Sequence, residues 1–206
     1  MLIATFVILL LFFFLLPLSA LAADYPSRVV GISDGDTFTV LTAQEKQVEI
    51  RLRTVDDDSA VAWSEWLGMM TPATRRNLTT NLAPGSRGHE IYPDLEVKPE
   101  DEVVLKYRFS AFLQGASDLP QRLRAQGYDT VLIAGTVTNV CCESSARDAM
   151  MLNFKTIMVS DANAARTDEE HNATLSTFLA IFGDVMDTDF LIQRLETNAA
   201  LRVAAE

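Results

Sequence analysis

Cysteine and histidine are nearly absent: the 206 residues contain two of each. Cys141 and Cys142 are neighbours, so an ordinary disulfide framework is excluded and only a strained vicinal bridge could join them. His89 and His171 stand alone, which gives no cluster of histidines for a metal site, and His171, near the start of an acidic helical stretch, reads as a capping or surface residue. Basic residues are also in deficit, 17 against 28 acidic, for a net charge of −11 and a pI near 4.6. That balance excludes an electrostatic grip on nucleic acid or anionic lipid and leaves a small or cationic partner. Residues 1–23 lack any charged side chain. Leu2 to Leu16 is almost continuously apolar, and Ala20-Leu21-Ala22 fits a signal-peptidase site, so the segment reads as a cleaved signal, an uncleaved anchor or a core helix.

The chain is long enough for one domain with a sizeable core, or one domain and a small appendage. Arg28 to Leu41 reads as two β-runs around an Asp34-Gly35 turn, and Gln47 to Val55 alternates apolar and charged residues; together they predict a small antiparallel meander. Trp63, Trp66 and Leu67 share one face of a helical turn, as core or as pocket lining. Thr71-Pro72 is a helix-entry signal for a helix to about Leu82. From Glu102 the pattern alternates. Strands are predicted at Glu102–Tyr107, Thr130–Ala134 and Lys155–Ser160, and helices at Leu119–Gln126, Asn139–Asn153 and Glu169–Phe182. This is the signature of an α/β fold, a mainly parallel sheet with helices on both faces. Ligands of such sheets bind outside the carboxyl ends of the strands, where Lys106, Thr136 and Ser160-Asp161 fall.

The stretch from Gly135 to Ala149 places a thiol where a helix begins. Cys141 lies near unpaired backbone N–H groups and the positive end of a helix dipole, both of which favour thiolate. Thr138-Asn139 suits a helix cap. Cys142, turned about 100° around the helix, reads as a core residue. Tyr107 and Phe112 could line a pocket or pack.

Two resemblances follow from these motifs. Asp34-Gly35-Asp36-Thr37 with Ile50 to Asp56 resembles the opening of the thermonuclease family of calcium-dependent phosphodiesterases, which would make Asp36 and Asp56 metal ligands and Arg51 a phosphate contact. The match ends at Asp57-Asp58-Ser59. The motifs Leu105–Phe112, Ala134–Ala149 and Val159–Ala162, in order, resemble the isochorismatase-like cysteine hydrolases over about residues 56–195.

That second resemblance implies a three-layer α/β hydrolase that cleaves C–N bonds of small amides or ureides through a thioester on Cys141. Lys106 would support the thiolate, and the N–H groups of Val137 and Cys141 would form an oxyanion hole beside a cis Thr136–Val137 peptide. The candidate substrate-binding residues are Tyr107, Phe112, Asn139 and Trp63. The family's catalytic Asp, which ends an apolar first strand, has no counterpart. The meander stands in its place, and Asp56 is the candidate substitute. The expected organisation is a signal or anchor at 1–23, a nuclease-like β segment at 26–56, a hydrolase domain at 57–196 and a tail at 197–206. A lost central strand predicts an exposed sheet edge and a homo-oligomer. The expected partner is a small-molecule substrate, with no cofactor or metal, no nucleic acid, and membrane contact only through an uncleaved N-terminal segment. An export signal would place the protein outside the cytoplasm; hydrolases of this type otherwise work within it. A calcium-dependent nuclease and a non-catalytic binding relative are the alternative functions.

Overall fold

The computed structural model describes residues 37–41, 47–52, 63–91, 97–99 and 101–203, with backbone alone for 37–41, 47–52 and 198–203. The signal-like segment, Asp34, Asp36, Asp56 and residues 204–206 lie outside the described residues. One six-stranded sheet organises the rest, in the spatial order β3-β2-β1-β4-β5-β6. Its strands are β1 (Thr37–Leu41), β2 (Gln47–Leu52), β3 (Glu102–Lys106), β4 (Thr130–Thr136), β5 (Lys155–Ala164) and β6 (Asp184–Met186). The helices are α1 (Ser64–Gly68), α2 (Pro72–Asn81), α3 (Leu119–Ala125), α4 (Glu143–Met151), α5 (Asp168–Ile181) and α6 (Thr188–Val203), with a π-helical turn at Thr138–Cys142 ahead of α4.

Period-two alternation along β4 sends its side chains to two cores. Val131 and Ile133 enter one cluster with Leu123 of α3, Ala146 of α4 and Phe178 of α5, whereas Leu132 and Ala134 enter another with Leu191 and Leu195 of α6. Helices therefore cover both faces, and β4 is buried through Gly135, as its apolar run predicts. Each fully buried aliphatic side chain of this kind contributes about 1.5–3 kcal/mol. At the junction of α5 and β6 the packing demands glycine, because a Cβ at Gly183 would strike the Thr156 carbonyl oxygen and the Phe178 ring.

The N-terminal strands correct one expectation. β1 pairs antiparallel with both β2 and β4, and β2 pairs parallel with β3. The hairpin thus fills the centre of the sheet, and no edge opens there. A short connection between β1 and β2 requires antiparallel pairing, while the longer excursion through α1 and α2 permits β2 and β3 to run parallel. The thermonuclease resemblance finds no support: its two strands belong to the α/β sheet rather than to a nuclease barrel.

Register then decides what shares an edge. Leu52 is level with Lys106, Thr37 with Arg51, and Phe38 with Gly135. The end of β3, the end of β2, the start of β1 and the end of β4 all lie at one edge of the sheet. β4 and β5 slip out of register between Ile133 and Gly135. Asn163 bridges the irregularity, its Nδ2 donating to the carbonyls of Ile133 at 2.8 Å and Val159 at 2.6 Å. Gly135 has φ 134°, a conformation that side-chain-bearing residues avoid.

Candidate active site

β3 delivers Lys106 to this edge with its side chain fully buried. A buried ammonium needs partners, since its desolvation costs several kcal/mol. Its Nζ donates to the Phe109 carbonyl at 2.6 Å. That carbonyl is held by a pinned loop: Ala111 N–H donates to Ser145 Oγ of α4, Ser110 Oγ accepts from Phe112 and Leu113, and Tyr107 N–H donates to Ala116. The Phe109 ring packs against Trp63 and Trp66 at centroid distances of 4.7 and 5.2 Å.

β4 ends at Thr136, and the peptide between Thr136 and Val137 is cis. The chain then enters the π-helical turn, in which the N–H groups of Val140 and Cys142 both donate to the Val137 carbonyl. The expected side-chain cap is absent: neither Thr138 nor Asn139 caps, and the fully buried Thr138 instead meets His171, Oγ1 to Nδ1, at 2.9 Å. Cys142 is fully buried in the core. Burial pushes its thiol well above the ordinary range, the neighbouring Cys141 adds to the shift, and the Lys106 ammonium opposes it.

Cys141, although only 3% exposed, lies on the floor of a cleft of about 500 Å³ together with Val137, Asn139 and Val140. Trp66, Met70, Leu78 and Phe109 form an apolar wall, and Arg166 and Glu170 bring charge from the start of α5. The Asn139 Oδ1 is buried without a hydrogen-bond partner. The lining therefore combines a thiol and the unpartnered Asn139 amide with an apolar remainder.

Of the sequence-predicted residues, Cys141, Val137 and Asn139 line the cleft. Thr136 ends the strand next to Val137, and Lys106, outside the lining, is hydrogen-bonded to the carbonyl of Phe109. Trp63 packs on Trp66 at 4.6 Å, one layer back from the lining. Phe112 is a correction: it is 2% exposed in the core, edge-to-face with Phe154, because the loop turns it inward. Tyr107 is likewise not part of the lining. Asp161 is engaged elsewhere, accepting from the N–H and hydroxyl of Thr188 at the start of α6. His171, half-buried, does not cap α5, since Thr167 does. Trp66, which the sequence offers as core or pocket lining, lines the cleft; Phe109, Arg166 and Glu170 also line it without having been singled out from the sequence. The last two follow β5 directly, so the rule that ligands gather at strand carboxyl ends could have found them. Among the described residues, no group of three His, Cys, Asp or Glu side chains could hold a metal ion.

The isochorismatase domain model matches residues 52–190. Similar proteins include a ureidoacrylate amidohydrolase of Acinetobacter baylyi, 34% identical over 60% of this chain and 50% of that protein. A maleamate amidohydrolase of Pseudomonas putida is 40% identical over 46% of this chain and 44% of its own length. The chain spans about half the length of the curated relatives it matches. Among solved structures, a cysteine hydrolase from Pseudomonas syringae pv. phaseolicola superimposes with a TM-score of 0.61 at 31% identity, covering 72% of each chain. With the domain model spanning most of the sheet and its helices, and the α/β architecture matched by solved relatives, this chain belongs to the isochorismatase family.

Proposed function

We propose that this protein hydrolyses a C–N bond of a small amide or ureide through a thioester on Cys141. The observation that carries the reading is the arrangement at one sheet edge: Cys141 in the lining of a cleft, with the buried Lys106 ammonium close enough to act on the adjacent Cys142 thiol. A thiolate at Cys141 attacks the amide carbon, and the oxygen becomes an oxyanion received by the N–H groups of Val137 and Cys141. The nitrogen leaves as an amine after taking a proton. Water then cleaves the thioester, releasing the carboxylic acid and restoring the thiol. The cleft volume suits a small ligand, and the unpartnered Asn139 Oδ1 would accept from a substrate N–H that reached it. The names of the amidohydrolase relatives support the same bond class.

The proton donor is assigned to Asp56. β2 ends level with Lys106, so the chain leaves the sheet at the site edge four residues before Asp56. Two carboxylates serve as comparators: Asp36, immediately ahead of β1, and Glu170 in the cleft lining.

Ammonia release across a panel of primary amides and ureides tests the function. Turnover is expected on at least one of them, with an acyl adduct on Cys141 in intact-mass spectra and a loss of about a thousandfold or more in Cys141→Ser. No release from any substrate, with Cys141 alkylated no faster than glutathione at neutral pH, would overturn it.

A further inference from the structure

We propose that Thr138 and His171 are positioning residues, and that the hydrogen bond between them holds the nucleophile-bearing turn in its working geometry. The proposal rests on Cys141 being the nucleophile. A π-helical turn is a rare, loosely wound element that needs support from its surroundings, and here it carries the reactive thiol at its fourth residue. Thr138 opens that turn with a fully buried side chain. Its hydroxyl has turned away from the backbone of its own helix to meet Nδ1 of His171 at 2.9 Å, across 33 residues of sequence. The hydroxyl can donate to an unprotonated Nδ1 or accept from a protonated one, so the contact survives either tautomer.

The bond is the first of three ties along α5. Three residues further on, Thr174 Oγ1 donates to Glu143 Oε2 at 3.3 Å, at the point where the π turn becomes α4. Glu143 is paired in turn with Arg147, whose guanidinium lies 4.0 Å from the centroid of the Phe182 ring just past the end of α5. Together these contacts set the register of α5 against the π turn and α4. Only the His171 tie reaches the turn itself. Because Glu170, its neighbour, lines the cleft, the same bond couples the cleft wall to its floor. Apolar packing through Leu175 and Phe178 already secures α5 to the core. The His171 bond is therefore available for placement rather than for holding the fold together.

The test measures alkylation of Cys141 by iodoacetamide from pH 6 to 9 in the full-length protein, read by peptide mass spectrometry beside thermal melts. Four variants are compared: Thr138→Val and His171→Leu, which break the bond, and Thr138→Ser and His171→Asn, which restore a hydroxyl or place an amide where Nδ1 was. Wild-type Cys141 is expected to react faster than glutathione at neutral pH. The two breaking variants should react about tenfold more slowly, as expected for a displaced reactive group, with the melting temperature little changed and the rate recovered in the conservative pair. Equal or faster alkylation in His171→Leu, a lowered melting temperature with an unchanged pH profile, or no recovery in His171→Asn would each overturn the positioning role alone. A wild-type thiol no faster than glutathione would instead overturn the nucleophile reading, and this proposal with it. If Thr138→Val does not fold, the two His171 variants decide.

Discussion

From β4 to β6 the sheet runs parallel, and β4 is buried on both faces, whereas from β3 to β1 it mixes directions and leaves Val103 of β3 47% exposed. The first half supplies Cys141 on its π-helical turn; the second supplies Lys106, and it is the half from which the chain proceeds to Asp56. The two meet along the antiparallel β1/β4 seam. On the proposed function, the site is thus assembled from a regular half that carries the nucleophile and an irregular half that carries its charge partner. On that reading, packing stability and chemical competence should respond to different substitutions.

Asp56→Asn should break the irregular half most severely, lowering kcat by about 10²–10⁴-fold with an unchanged melting temperature, while Asp36→Asn and Glu170→Gln lower it much less. If Glu170→Gln matches or exceeds Asp56→Asn, the proton donor belongs to the regular half and the division of labour is wrong. Phe178→Ala strikes the regular half instead. Fully buried against the β4 face, it should lose about 3–5 kcal/mol in denaturant unfolding.

Lys106→Met sharpens the contrast, because it removes a buried charge while nearly preserving shape. Turnover should fall about a hundredfold, yet stability should hold or rise, since replacing a buried ion by an apolar isostere is often neutral or stabilising. A large loss of stability with turnover retained would make Lys106 structural.

The smallest effect concerns Cys142 and its dependence on pH. The unfolded thiol ionises near pH 8.5, whereas burial raises the folded one above its ordinary range. Above that unfolded pKa the folded state binds the extra proton, so the contribution of the neutral buried thiol is complete below about pH 8.5 and declines as pH rises beyond it. Wild-type melting temperature should therefore drop between pH 8 and 10 by more than that of Cys142→Ala. Parallel curves would remove Cys142 from the account of alkaline stability.

Much of the regular half was legible because its signals are local. Thr130 to Ala134 is apolar enough to predict a buried strand, and the Thr71-Pro72 entry to α2 is present, with Thr71 Oγ1 accepting from Thr74 N–H at 3.2 Å. β4 and β5 each extend beyond their predicted ends, to Thr136 and Ala164, because tertiary pairing and the Asn163 bridge carry them past the apolar runs. β6 and α6 were not read, since a three-residue strand gives almost no periodic signal. The two phenylalanines of the Lys106 loop show the limit at the site. Phe109 and Phe112 are equally apolar, but in the loop whose N–H groups donate to Ser110 and Ser145 the first faces the cleft and the second the core.

What the sequence by itself determined is the inventory: alternating strands and helices, a thiol at a helix start and a lysine at a strand end. Each depends on neighbours a few residues apart and on side-chain chemistry that survives any fold. Tertiary structure alone decided where the β1–β2 hairpin sits, which aromatic faces the cleft, and that Thr138 is tied to His171 instead of capping its own helix. Those outcomes depend on strand pairing and on contacts between residues about thirty positions apart. Competing arrangements there differ through burial and hydrogen bonding rather than local propensity.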